Sequence, residues 1–111
     1  MFNHMVEELD GVFHALAHDA RRTMLGRLAG GDLTVGELAE PLHMSLAAAS
    51  KHVKVLEQAG LVHRTIIGRR HVCRLIARPL AGATAWLSFY ENFWDARLDA
   101  LQEAFKDKEK S

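Results

Sequence analysis

The sequence of 111 residues predicts a mostly α-helical fold with one small β-hairpin. Three observations carry that reading. Apolar residues recur at three- and four-residue spacing through most of the first 59 residues and again after Pro79. Between Leu61 and Leu75 the pattern changes to short β-branched or apolar runs around Gly68-Arg69. Helix-start and helix-stop residues stand where this division needs them.

Val6, Leu9, Val12, Phe13 and Leu16 give a first amphipathic helix ending near Ala17. Asp19 or His18 can cap a second helix, whose Met24, Leu25 and Leu28 precede the stop signal Gly30-Gly31. Thr34 and Glu37 have the spacing of a capping box, so a short third helix runs from Val35 to about Leu42, with Pro41 weakening its last turn. Ser45 is an N-cap for a fourth helix running to Ala59, and Gly60 suits the left-handed position that ends it. Leu61-Val62, Ile66-Ile67 and Val72-Cys73 then form a hairpin with a tight, basic tip. Pro79 fits the first turn of one final helix, striped by Leu80, Trp86, Leu87, Tyr90, Phe93, Trp94, Leu98, Leu101 and Phe105. Residues 1–105 are expected to form one domain, and the charge-dense residues 106–111 a frayed tail.

A chain of this length buries one modest core, and the final stripe is wider than it can cover alone. The expectation is a homodimer whose seam includes Leu9, Phe13, Trp86, Tyr90, Phe93, Trp94 and Leu98. A small-molecule pocket along the same aromatic residues is the second reading. No apolar run approaches the roughly 18 residues that span a bilayer, and Met1-Phe2-Asn3-His4 lacks the regions of a secretory signal, so no membrane is involved and a cytoplasmic location is expected. One cysteine, Cys73, excludes a disulfide framework; in a strand it reads as a buried small hydrophobe.

The formal net charge is zero, but its distribution is uneven. Residues 1–42 carry three basic against seven acidic side chains, net −4; residues 43–78 carry seven against one, net +6; residues 79–111 carry four against six, net −2. Basic charge is thus confined to the middle third, as a localised phosphate-binding face requires. Two short helices joined by a tight turn and followed by a basic hairpin make a winged helix-turn-helix, in which the second helix of the pair enters the major groove of double-stranded DNA. On that helix Ala49, Val53, Leu56 and Ala59 turn inward, while Ala47, Ser50, Lys51, Lys54 and Gln58 lie on another face. Small residues at its leading end let the backbone approach the bases. Ser50 and Lys51 can then reach base edges or phosphates and Lys54 a phosphate, while Arg69 and Arg70 suit phosphates or a narrow minor groove.

From Val12 to Leu75 the sequence resembles the ArsR family of bacterial repressors. The likeness rests on Leu16-Ala17-His18-Asp19-Ala20-Arg21-Arg22, on Leu33-Thr34-Val35-Gly36-Glu37-Leu38-Ala39, on the run from Ser45 to Val62, which is the most specific part, and on Gly68-Arg69. It implies a dimer built from the first and last helices, repression of a promoter, and release when a signal alters the dimer; a two-fold dimer in turn implies an inverted-repeat operator, and the signal is left open, an unidentified small-molecule inducer being one candidate. By position it implies DNA contacts at Ser45, Ser50, Lys51, His52, Lys54 and Arg69. For His52 a hydrogen-bonded helix histidine is the competing reading. His43 departs from the glycine frequent in the family's turn.

Many members of that family sense metals, but the motifs are absent here. Glu37-Leu38 is followed by Ala39, Glu40 and Pro41 rather than a Cys-x-Cys motif, and every histidine precedes the final helix. His14 and His18 have chelating spacing, but a helix boundary is expected between them, so no metal and no cofactor is expected. No phosphate-binding glycine loop, nucleophile elbow or metalloprotease pair occurs, so no enzyme is expected either. The alternative function is a protein-interaction module that keeps the winged fold without reading DNA.

Overall fold

The computed structural model describes residues 2–110, with side chains over 6–106; Met1 and Ser111, and the side chains of most of the expected tail, lie outside the described residues. The elements are α1 (Phe2–Leu16), α2 (Asp19–Leu28), β1 (Leu33–Thr34), α3 (Val35–Ala39) with a 3₁₀ turn at Glu40–Leu42, α4 (Leu46–Gln58), β2 (Val62–Ile67), β3 (Arg70–Leu75), α5 (Arg78–Ser88) and α6 (Glu91–Lys110).

Local chemistry explains most boundaries. His18 is the N-cap of α2, its Nδ1 accepting from the Ala20 N–H at 3.1 Å. The C-terminal carbonyls of α1 are satisfied by α2: Arg21 Nε donates to Ala15 O at 2.7 Å and its Nη2 to His14 O at 3.0 Å, while Arg22 donates to Leu16 O. Two cations thus sit at the negative end of the α1 dipole. The capping box of α3 is formed in both directions, Thr34 Oγ1 accepting from Glu37 N–H and Glu37 Oε1 from Thr34 N–H. That backbone bond from Thr34, more than any other cause, holds the Glu37 carboxyl below the usual carboxylate range. Pro41 converts the end of α3 into the 3₁₀ turn.

His43 closes that turn in the left-handed region, with φ 53° and ψ 37°. An L side chain there costs about 1–2 kcal/mol, whereas glycine brings about 0.5–1 kcal/mol of extra backbone entropy to lose. His43→Gly is therefore expected to stabilise the protein, with a rise in Tm of up to about 5 °C in a thermal melt. An unchanged or lower Tm would show that the exposed imidazole contributes more than the strain it causes.

The hairpin is tight. Ile67 pairs with Arg70, leaving Gly68-Arg69 as a two-residue loop with Gly68 at φ 62°. A third strand, absent from the sequence reading, completes the order β1-β3-β2 by pairing Leu33 with Cys73 and Thr34 with Val72. Two residues are too few to show alternation, so only the partner strand reveals it. One core forms beneath, with Val12, Met24, Leu38, Val53, Leu56, Leu61 and Cys73 fully buried. Burial also pushes the Cys73 thiol up, away from the reactive thiolate.

The single final helix expected after Pro79 is two. The chain turns at Phe89-Tyr90, where Tyr90 N–H bonds to Leu87 O and Trp94 N–H to Tyr90 O. Ser88 Oγ donates to Thr84 O at 2.8 Å, a back-bond that bends helices without any proline or glycine to mark the place. Helix α5 packs on α1, Phe13 meeting Trp86 edge to face at 5.6 Å. Helix α6 leaves the body and continues through Lys110, into the expected tail; none of its described side chains is buried. The radius of gyration is accordingly 19.0 Å, against about 13 Å for a compact chain of this length.

Candidate nucleic-acid interface

Helices α3 and α4 form the helix-turn-helix pair, and the leading end of α4 is set by Ser45, whose Oγ accepts from Ala48 N–H at 3.1 Å. Ala49, Val53 and Leu56 are buried, which turns Ala47, Lys51, Lys54 and Gln58 outward along an exposed crest. Ser50 and His52 flank the crest on opposite sides, both half-buried. Ser50 faces the wing; His52 faces α2.

An open groove of about 720 Å³ lies between the start of α3, the leading end of α4 and the wing. It brings together Ala47, Ser50, Arg69 and Arg70 from the sequence-derived set. Lys51 and Lys54 stand outside its lining, on the crest. Leu46, which the sequence reading passed over, also lines the groove and is 63% exposed, an apolar surface of the kind that meets a thymine methyl. Its signal was its place directly after the N-cap.

His52 is engaged internally. Arg21 Nη1 lies 3.3 Å from its Nδ1, and the His18 ring packs at 4.5 Å between centroids. Desolvation first, then the neighbouring His18 and Arg21, lower the His52 pKa from 6.5. A base whose folded pKa is depressed contributes stability that is complete above its unfolded pKa and is lost as pH falls below it. Stability should therefore decline as pH drops from about 6.5 toward the lowered value, and His52→Gln should flatten that part of the pH profile of Tm.

The basic charge of residues 43–78 is not all available to a partner. Arg64 pairs with Glu57, Arg74 with Asp32 at 3.4 Å and Arg78 with Glu8 at 3.6 Å. Among the described residues no carboxylate pairs with Lys51, Lys54, Arg69 or Arg70. Those four lie on the crest of α4 and at the wing tip.

A helix-turn-helix domain model matches residues 16–65. The HTH-type transcriptional regulator Rv2034 of Mycobacterium tuberculosis is 42% identical over 89 residues, covering 80% of each chain. The crystal structure of an ArsR family transcriptional regulator is 39% identical with a TM-score of 0.73, over 80% of this chain and 92% of that one. The chain belongs to the ArsR family of transcriptional regulators. This ArsR-family chain is also 37% identical over 54 residues to the transcriptional repressor SdpR of Bacillus subtilis, covering 49% of this chain and 60% of that one. A further structure, the homodimeric winged helix-turn-helix DNA-binding domain Mb0332 of Mycobacterium bovis, matches at 26% identity and a TM-score of 0.65, over 82% and 86% of the two chains. Relatives named as regulators and a repressor favour DNA reading over a protein-interaction module. Among the described residues no three His, Cys, Asp or Glu side chains gather to hold a metal ion, and no helix is long and apolar enough to cross a membrane.

Proposed function

We propose that the protein represses transcription by binding an inverted-repeat operator in double-stranded DNA as a homodimer. The observation that carries this reading is the grouping of Lys51, Lys54, Arg69 and Arg70 on the crest of α4 and the wing tip, where among the described residues no carboxylate forms a salt bridge with them. Lys54, Arg69 and Arg70 hold phosphates; Lys51 reads a base; Leu46 and Ala47 meet the groove floor; Ser45 and Ser50 supply hydroxyls beside it. His52 braces α4 against α2 through Arg21.

The dimer seam is assigned to Leu9 and Phe13 of α1, Trp86 and Tyr90 at the end of α5, and Phe93, Trp94 and Leu98 of α6. Support comes from the projection of α6 and from Mb0332, a homodimer with a similar winged fold. A two-fold dimer requires half-sites one or two helical turns apart. Selection of bound fragments from randomised duplex DNA tests both claims: recovery of an inverted repeat with that spacing is expected, and recovery of unrelated fragments, or of none, overturns the proposal.

A further inference from the structure

Arg64 belongs to the basic segment by sequence, yet its side chain is only 14% exposed and is held from three sides. Its Nε and Nη2 donate to Glu57 Oε1 at 3.1 and 2.7 Å, its Nη1 to Ser50 Oγ at 3.2 Å, and the same Nη1 lies 3.3 Å from His71 Nδ1. Glu57 and Ser50 are on α4; Arg64 and His71 are on the two strands of the wing. In the antiparallel register Arg64 opposes Cys73 and Ile66 opposes His71, so these four share the sheet face whose base is buried in the core.

We infer that Arg64 is the positioning residue that sets the wing against the recognition helix. The inference rests on the proposed DNA-binding function. A planar guanidinium with donors on several edges can bond to α4 at two points and to the wing at one, which fixes an angle and not merely a distance. Glu57 neutralises the charge, and their partial burial weakens solvent screening of the pair. The wing tip lies only four to five residues beyond Arg64, so a small rotation there displaces Arg69 and Arg70 relative to Lys51. Arg64 lines the groove, but its donors are engaged by Glu57, Ser50 and His71, so it acts on operator affinity by bracing the wing and not as a phosphate contact.

Phosphate contacts and internal struts differ in one measurable respect, because only the former release counterions. Arg64→Met is expected to weaken operator binding about ten-fold and scrambled DNA much less, since misplacement harms base reading most. The slope of log affinity against log salt should match the parent. Glu57→Met, which leaves Arg64 in place but removes the oxygen that two of its donors bond, should likewise weaken operator binding, and its wing exchange carries the test if Arg64→Met fails to fold.

A reading without DNA separates this inference from the proposed function. Amide exchange over residues 64–71 should quicken in both variants, while the amide of Leu56 keeps the parent's protection. A salt slope lowered by Arg64→Met would make the residue a phosphate contact and overturn the inference, as would unchanged exchange in the wing of both variants. If the parent itself bound no DNA, the proposed function would fail, and wing exchange would still decide whether Arg64 holds the wing.

Discussion

Replacing Trp94 with Asp is expected to abolish the dimer, leaving a monomer in sedimentation experiments or an insoluble protein. Trp94 is 60% exposed in the single chain and Phe93, its edge-to-face neighbour, 50%. Trp94, Leu98, Leu101 and Phe105 follow one another at intervals of four, three and four, the spacing of a helix that packs along a partner helix. Fully burying a large apolar side chain stabilises by about 1.5–3 kcal/mol, and a two-fold seam counts each change twice. Loss of the aromatic surface alone should therefore raise the dimer dissociation constant by roughly a thousand-fold, and an uncompensated carboxylate at the seam adds to that. Trp94→Phe is the control, since it keeps most of the apolar area and should remain dimeric. A Trp94→Asp protein that sediments as a dimer would place the seam elsewhere.

The second large effect separates the helix from the wing. Lys51→Ala should lose about 1–3 kcal/mol on the selected operator while sparing more of the binding to scrambled DNA, because a base contact is worth that much discrimination. Arg69→Ala should weaken both DNAs alike. It should also lower the salt slope by about 0.9 for each lost phosphate contact, hence by nearly two in a dimer with two wings. Affinity measured against salt, for each variant on both DNAs, gives the answer. A Lys51→Ala variant that weakens both DNAs equally makes Lys51 a phosphate contact, and an Arg69→Ala variant with the parent's slope removes the wing tip from the interface.

The positions of Lys51 and Arg69 were legible in the chain because they follow from nearest neighbours: one lies on the polar face of a helix, the other at the tip of a two-residue loop. Arg64 was not. It counts toward the same +6 segment, and only the packing of β2 beside α4 shows that Glu57 takes its charge. Arg74 depends likewise on Asp32, 42 residues away in the chain. His52 admitted two readings in sequence, and Arg21, 31 residues distant, engages it on the flank away from the wing.

The sequence by itself determined the helix starts at Thr34 and Ser45, a second helix beginning at His18 or Asp19, the left-handed stop at Gly60, the hairpin around Gly68-Arg69 and the basic middle third. Caps, turns and periodicity act within a few residues, so the residues that cause them stand together in the chain. Tertiary structure alone decided the pairing of Leu33-Thr34 with β3, the division of the last helix at Phe89-Tyr90, and which cations keep their charge for a partner. A strand of two residues has no pattern of its own, and the division at Phe89-Tyr90 has no proline or glycine to mark it. An arginine's partner depends on which surfaces the core brings within about 4 Å, a distance that short-range sequence rules do not encode.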